Sequence, residues 1–287
     1  MNGNDPELGV GDTNVPAVGA FTNSKNISMS KSTVNVVKGD QNNFVSSEFN
    51  SKIVQEWLNA TDSSSKYATA CNKMTEDQSS SQVAGIEDPQ IQVPVGPEDT
   101  GIWLLKDTRF GQWKDNGNLF WLEGKAGSGK TFLCTNIIKT LKEKHQEVFY
   151  HYFDTLGGSR AKVTHGGLVA SLLEEIGMHP SYDQKVLKDL FENNQKGNKK
   201  ISVSVMQGVL LSLVSNCSEH TYIILDAMDE CQEPDEVSKF IQILLGIGNV
   251  YVVVSSRNPM PKFLEQPWVT LKLSLDEEET MEDIINI

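Results

Sequence analysis

One eight-residue segment constrains this chain more than any other: residues 124–131 read GKAGSGKT, which fits the pattern G-x-x-x-x-G-K-[ST]. The apolar run Leu119–Leu122 precedes this segment and predicts a buried strand. After it, apolar residues recur at spacings of three and four, which indicates a helix that begins near Gly129. A plain glycine-rich turn is the alternative, but it would require neither flanking element. The context therefore predicts a P-loop, a turn that cradles phosphate groups.

Each part of this loop has a physical task in phosphate binding. Glycines let the backbone curl so that successive N–H groups point inward, where a Cβ atom would block close approach. Lys130 reaches the β- and γ-phosphates, and the Thr131 hydroxyl is placed to ligate Mg²⁺. The helix directs the positive end of its dipole at the anion. The predicted nucleotide-binding residues are Gly124, Lys125, Ala126, Gly127, Ser128, Gly129, Lys130, Thr131 and Phe132.

The composition limits the classes of protein to which this chain can belong. With 287 residues, of which 38% are hydrophobic and 22% charged, the chain can bury one full core and has length left for a poorly packed segment. A formal net charge of −13 argues against sequence-independent nucleic-acid binding and against an anionic membrane surface, because both require Lys and Arg. The four cysteines lack metal-ligand spacing, which argues against zinc. We therefore expect neither a nucleic-acid nor a membrane partner.

The N-terminus shows no targeting signal. It lacks a basic n-region and an apolar h-region. No apolar run approaches the roughly 20 residues that a transmembrane helix needs. We therefore expect a cytoplasmic protein.

The chain divides into three regions of different composition. Residues 1–48 are rich in Asn, Ser, Gly and Thr and short of large apolar groups, so we expect a disordered tail. Over residues 49–98 we expect a short amphipathic helix and then a Ser-rich linker from about residue 61. Residues 99–287 are the predicted folded domain. The apolar face of the short helix consists of Ile53, Val54, Trp57 and Leu58.

Strands and helices alternate within the predicted domain. Such alternation predicts a three-layer α/β sandwich, with a five-stranded, mainly parallel sheet flanked by helices. In such a sheet the ligand lies at the carboxyl ends of the strands. The predicted strands are Leu119–Leu122, Val148–Phe153, Tyr222–Leu225, Val250–Val254 and Val269–Leu273. The predicted helices lie near residues 131–143, 165–177, 203–215 and 235–245.

A second motif lies at the end of the strand Tyr222–Leu225. Asp226 follows this strand directly, and Asp229 and Glu230 follow within one turn. A carboxylate at the strand tip can hold the water shell of Mg²⁺ opposite Thr131. A carboxylate one turn later can orient an attacking water, and the sequence leaves open whether Asp229 or Glu230 does so. An acidic loop is common in α/β domains, but beside a P-loop it indicates a Walker B segment.

The next strand, Val250–Val254, ends in the polar residues Ser255, Ser256 and Arg257. If this strand lies between the P-loop strand and the Asp226 strand, its tip is adjacent to both. Arg257 or Ser255 is then placed to sense the terminal phosphate. The alternative for a lone arginine at a strand end is a solvated cap.

Together these motifs resemble the NACHT and nephrocystin-3-like N-terminal P-loop NTPase domains of fungal NOD-like, STAND-class proteins. The resemblance covers about residues 99–287. It implies that Asp226 serves Mg²⁺, that Asp229 or Glu230 serves hydrolysis, and that Arg257 is the sensor. It also implies an ATP-dependent signalling switch. The motifs that carry the resemblance are Thr100–Trp103, Phe110 with Trp113, Gly124–Thr131, Leu225–Glu230 and Ser255–Pro259.

Two functions follow from this resemblance. Members of these families usually continue into a winged helix and repeats, and we expect this chain to lack both. One expectation is a slowly hydrolysing Mg-ATP module of a switch in fungal innate immunity or heterokaryon incompatibility. The other is a non-catalytic nucleotide-binding interaction module, or a truncated paralogue that acts with full-length relatives. The expected partners are nucleotide and either a second copy of the chain or related NACHT proteins.

Other P-loop classes fit the sequence less well. A kinase needs an arginine-bearing lid, and the whole chain holds only Arg109, Arg160 and Arg257. Ras-type GTPases read guanine with an N-K-x-D segment, which does not follow the P-loop here. We therefore expect ATP or ADP with Mg²⁺ as cofactors, bound more tightly than GTP. Residues 102–104 either form a wall over the base or pack in the core.

Overall fold

A computed structural model describes residues 49–80, 101–264 and 270–276. These residues all belong to one compact unit, which spans Ser47–Ile287. The predicted disordered tail, the second half of the predicted linker and the last residues of the chain lie outside the described ranges.

A five-stranded parallel sheet forms the centre of the unit. Its strand order is β2-β3-β4-β1-β5, which confirms the predicted fold class. Every residue of β3 and β4 is buried, so these inner strands read as near-continuous apolar runs rather than as alternating ones. The strands are β1 Asn118–Glu123, β2 Glu147–Tyr152, β3 Thr221–Asp226, β4 Val250–Ser256 and β5 Thr270–Ser274.

Helices cover both faces of this sheet. No helix in the described ranges is long and apolar enough to cross a membrane. Short 3₁₀ turns lie at Arg160–Val163, Met228–Glu230 and Lys262–Leu264. The α-helices are α1 Ser51–Leu58, α2 Ser64–Ser80, α3 Ile102–Lys106, α4 Thr108–Asn116, α5 Lys130–Glu143, α6 His165–Met178, α7 Gln184–Asn193, α8 Val203–Ser215 and α9 Pro234–Leu245.

Two hydrophobic layers hold the helices to the sheet, one on each face. In β1, Leu119 and Trp121 point into the layer that α1, α6, α8 and α9 share, while Phe120 and Leu122 point into the layer beneath α4 and α5. This period-two division is what a strand buried on both faces requires. The arrangement is the predicted three-layer sandwich.

The predicted amphipathic helix is α1, and it packs on the domain. Val54 is fully buried and Leu58 nearly so, both within the layer that includes α6. The Trp57 indole N–H donates to the carbonyl of Lys199 at 2.9 Å, and its ring lies 5.3 Å from that of Phe191. These contacts join residues far apart in the sequence. The folded unit therefore begins well before residue 99.

Helix α2 corrects the linker expected from about residue 61. The segment that reads as Ser-rich and polar is helical over Ser64–Ser80. Its first turns are held by side chains: the Tyr67 ring lies 5.2 Å from that of Tyr150, and the Lys142 ammonium lies 4.9 Å and 4.6 Å from the two ring centres. Lys66 forms an ion pair with Asp154 at 3.2 Å. Tertiary contacts, which local periodicity does not report, place this helix.

If α1 is part of the folded unit, Val54→Ala should destabilise the whole domain. We expect a loss of about 1–3 kcal/mol of unfolding free energy, because a fully buried side chain leaves a cavity. Val205→Ala is the matched control, since Val205 is 44% exposed on α8 and its truncation should change stability by less than about 0.5 kcal/mol. Denaturant unfolding measures both. Equal small effects would mean that α1 is detached.

Candidate functional site

The P-loop connects the end of β1 to the start of α5, as predicted. Gly127 and Gly129 have φ values of +81° and +87°, in the left-handed region that favours glycine. Gly129 is the N-cap of α5, and no side chain caps this helix end. The first N–H groups of α5 therefore face the site with no side-chain acceptor from the cap, which is the arrangement that binds anions at helix N-termini.

Lys130 points back into the loop. Its ammonium donates to the carbonyls of Gly124 at 2.6 Å and Lys125 at 2.7 Å, and it lies 3.3 Å from the Ser128 hydroxyl. Burial lowers the pKa of Lys130 from its usual value, while the negative charges of Asp229 and Asp226 act in the opposite direction. The loop thus holds a single, largely desolvated cation at its centre.

The end of β5 supports the first half of the loop. The backbone N–H of Lys125 points at the Asp276 carboxylate, 3.1 Å and 3.2 Å from its two oxygens. A Cβ atom on Gly124 would lie 2.6 Å from the Ser128 hydroxyl oxygen and 3.0 Å from Leu275, so this glycine leaves room for the loop to close on itself. Sequence reasoning missed Asp276, because its role depends on β5 lying beside β1.

Asp226 lies at the tip of β3, where it joins three elements. The Thr131 hydroxyl on α5 donates to its Oδ2 at 2.7 Å, and the Ser255 hydroxyl at the end of β4 donates to its Oδ1. The Ser255 oxygen also accepts from the backbone N–H of Ala227 at 3.0 Å. Burial raises the pKa of Asp226, and the two hydroxyl donors oppose that rise. Ser255, expected as a phosphate sensor, here orients Asp226.

Arg257 and Asp229 are bound to each other. Strand β4 does lie between β1 and β3, which satisfies the condition set for Arg257. Its backbone N–H donates to Oδ1 of Asp229 at 2.8 Å, and its guanidinium Nε donates to Oδ2. Asp229 is nearly buried, whereas the Arg257 side chain is 48% exposed. Two of the three predicted catalytic residues therefore form one ion pair.

Glu230 takes a different position. Its Oε2 accepts from both the backbone N–H and the hydroxyl of Thr155, each at 2.9 Å. Thr155 lies in the loop after β2, which sequence reasoning did not connect with the site. Glu230 lines the pocket described below, and Asp229 does not. The structure thus separates the two acids that the sequence left as equivalents.

A pocket of about 700 Å³ opens over the P-loop. Its walls come from the loop, from the tips of β2 and β3, and from one face of α2. Gly124, Lys125, Ala126 and Arg257 do not line it, and Trp103 and Leu104 pack in the hydrophobic layer under α5 instead of over the pocket. The lining residues are Lys66, Thr69, Ala70, Lys73, Gly127, Ser128, Gly129, Lys130, Thr131, Phe132, Tyr152, Asp226, Ala227 and Glu230.

Comparison with known proteins identifies a family and one curated relative. The model of the family described as "Nephrocystin 3, N-terminal" matches residues 99–257, more than half of the chain. The vegetative incompatibility protein HET-E-1 of Podospora anserina is 26% identical over 191 residues. That match covers 62% of this chain and 14% of HET-E-1, so the chain spans a small part of this relative.

Solved structures resemble the chain only distantly. The Aeropyrum pernix ORC1 protein in complex with DNA is 16% identical with a TM-score of 0.40, and the match covers 66% of this chain and 48% of that one. A Signal Transduction ATPase with Numerous Domains (STAND) protein from Pyrococcus horikoshii, which carries a tetratricopeptide repeat sensor, is 16% identical with a TM-score of 0.33. That match covers 67% of this chain and 25% of the other.

The hydrogen bonds around Asp226 predict a contrast between two buried serines. Ser255→Ala removes a donor to the Asp226 carboxylate and an acceptor for a backbone N–H. We therefore expect the free energy of unfolding to fall by about 1–3 kcal/mol. The Ser238 hydroxyl on α9 is equally buried but has no hydrogen-bond partner within the described ranges, so Ser238→Ala should be neutral or stabilising. Chemical denaturation compares the two. Equal effects would show that Ser255 does not hold Asp226.

Proposed function

The chain belongs to the nephrocystin 3 N-terminal family, and we propose that it binds Mg-ATP at residues 124–132 and hydrolyses it slowly, as the NTPase module of a signalling switch. The observation that carries the proposal is the hydrogen bond of 2.7 Å between Thr131 and Asp226. It brings the Walker A hydroxyl and the Walker B carboxylate together beneath a pocket whose floor is an uncapped helix N-terminus.

The residues of the site divide into those that would hold phosphate and those that would hold metal. The α5 N-terminus, the loop N–H groups and Lys130 suit the phosphates. Thr131 and Asp226 supply hard oxygen ligands of the kind that Mg²⁺ prefers, directly or through water. When bound, the ion neutralises negative charge on the phosphates. Lys130, now held by loop carbonyls, would then have phosphate oxygens as stronger acceptors.

Glu230 is the better candidate for positioning the attacking water. It faces the pocket, and its carboxylate is oriented by Thr155. Asp229 is already paired with Arg257 outside the pocket lining. We therefore assign water positioning to Glu230. Arg257 and Asp229 act as a pair, in which a bound γ-phosphate competes with Asp229 for the guanidinium.

The signalling role rests on the relative. HET-E-1 is by name a vegetative incompatibility protein, and this chain matches 14% of its length. We propose that the chain serves a switch of that type, as a module that assembles with a second copy or with related proteins. The alternative is a non-catalytic nucleotide-binding module. It is favoured by the hydrogen bonds that occupy both Asp229 and Glu230.

Lys130→Ala should remove most nucleotide binding. The variant loses a charge-assisted contact to phosphate, so we expect the Kd for Mg-ATP to rise roughly 10- to 100-fold. Lys139→Ala is the matched control, because Lys139 is exposed on the same helix and does not line the pocket. Isothermal titration of both variants and of the wild type tests this. Undiminished binding by Lys130→Ala would contradict the proposal.

The two acids should differ in hydrolysis. Glu230→Gln should keep ATP binding and lower turnover roughly 100-fold, as expected for loss of a group that positions or accepts a proton. Asp229→Asn should lower turnover less, since its carboxylate contacts Arg257 and not the pocket. Phosphate release under single-turnover conditions measures both. Wild-type turnover no higher than that of Lys130→Ala would instead support the non-catalytic alternative.

A further inference from the structure

Helix α2 contributes a wall to the pocket, although it lies before the range that the family model matches. The four α2 residues that line the pocket are spaced three, four and seven positions apart, so they share one helix face. At 1.5 Å per residue, this stripe extends about 10 Å along the pocket. It consists of Lys66, Thr69, Ala70 and Lys73.

One local contact and two tertiary contacts hold the first turns of α2 in place. The Ser64 backbone N–H donates to the Asp62 carboxylate at 2.7 Å, which caps the helix start. Tyr67 lies against Tyr150 and the Lys142 ammonium. The ion pair of Lys66 with Asp154 anchors the stripe itself. The helix is therefore held against the pocket by contacts that do not depend on a nucleotide.

The cations of the pocket are not equivalent. Lys66 is paired with Asp154, and Lys130 is enclosed by loop carbonyls. Lys73 is exposed, and none of the carboxylates whose side chains the structure describes lies within 4.0 Å of its ammonium. A lysine that lines a pocket over a P-loop can bring its charge, on a flexible four-carbon stem, to an anionic ligand. Thr69 and Ala70 between the two lysines are small and leave the pocket open.

We propose that Lys73 of α2 is a phosphate-binding residue of the nucleotide site, and that α2 is a wall of this site. The inference rests on the proposed function, since it deepens the ATP site. Lys73 adds to the site a cation that lies about 50 residues before the P-loop in the sequence. A charge here would add to that of Lys130 in compensating the triphosphate.

Charge removal at Lys73 tests the phosphate contact. With the fluorescent nucleotide mant-ATP and Mg²⁺, we expect Lys73→Gln to raise the Kd about 3- to 10-fold, and the difference from wild type to shrink as salt rises. The affinity for adenosine, measured by its displacement of mant-ATP, should be unchanged, because adenosine carries no phosphate. A general structural defect would weaken adenosine binding as well. Lys139→Gln, an exposed lysine away from the pocket, should match wild type.

The outcomes separate this inference from the proposed function. If wild type binds, Lys130→Ala does not, and Lys73→Gln equals Lys139→Gln at every salt concentration, the role of Lys73 is overturned and the ATP site stands. If wild type itself binds no mant-ATP, the proposed function fails, and the role of Lys73 fails with it.

A steric variant tests the position of α2 independently of charge. Ala70→Trp places a large ring in the pocket and should weaken mant-ATP binding by about tenfold or more. Ala68→Trp puts the same ring on an exposed position of the same helix that does not line the pocket, and should bind like wild type. Thermal melting checks that both variants fold. Equal affinity of the two folded variants would show that α2 does not border the nucleotide.

Discussion

The structure depends on the buried carboxylate of Asp226. A carboxylate removed from water is costly unless donors satisfy it, and here the donors are the hydroxyls of Thr131 and Ser255. These three residues lie on β3, α5 and β4. Their hydrogen bonds therefore require β3 to lie beside β4 and the P-loop helix to begin directly above them. The strand order of the sheet meets that requirement.

This arrangement divides the site into an interior and a rim. In the interior, Lys130, Thr131 and Asp226 surround the place where phosphate and metal chemistry would occur, and Glu230 faces it across the pocket. At the rim, the partly exposed Arg257 holds the nearly buried Asp229. A ligand that competes for the Arg257 guanidinium would change the rim without disturbing the interior.

The domain is also not confined to the range that its family model matches. Helices α1 and α2 come from residues before that range, yet α1 buries Val54 in the core and α2 lines the pocket. The P-loop supplies the floor of the site and a distant segment supplies a wall. Displacement of α2 would therefore remove one wall of the pocket.

The sequence by itself determined the P-loop, the strands that carry Asp226 and Arg257, and the alternating order that makes the sheet parallel. These features are local, because spacing within ten residues sets strand or helix period and the conformation of the loop. Only the tertiary structure decided that α2 is a helix at the pocket, that Thr155 orients Glu230 and that Asp276 supports the loop. Each of these depends on a contact between distant residues, such as Lys66 with Asp154, and no apolar period marks such contacts in the sequence.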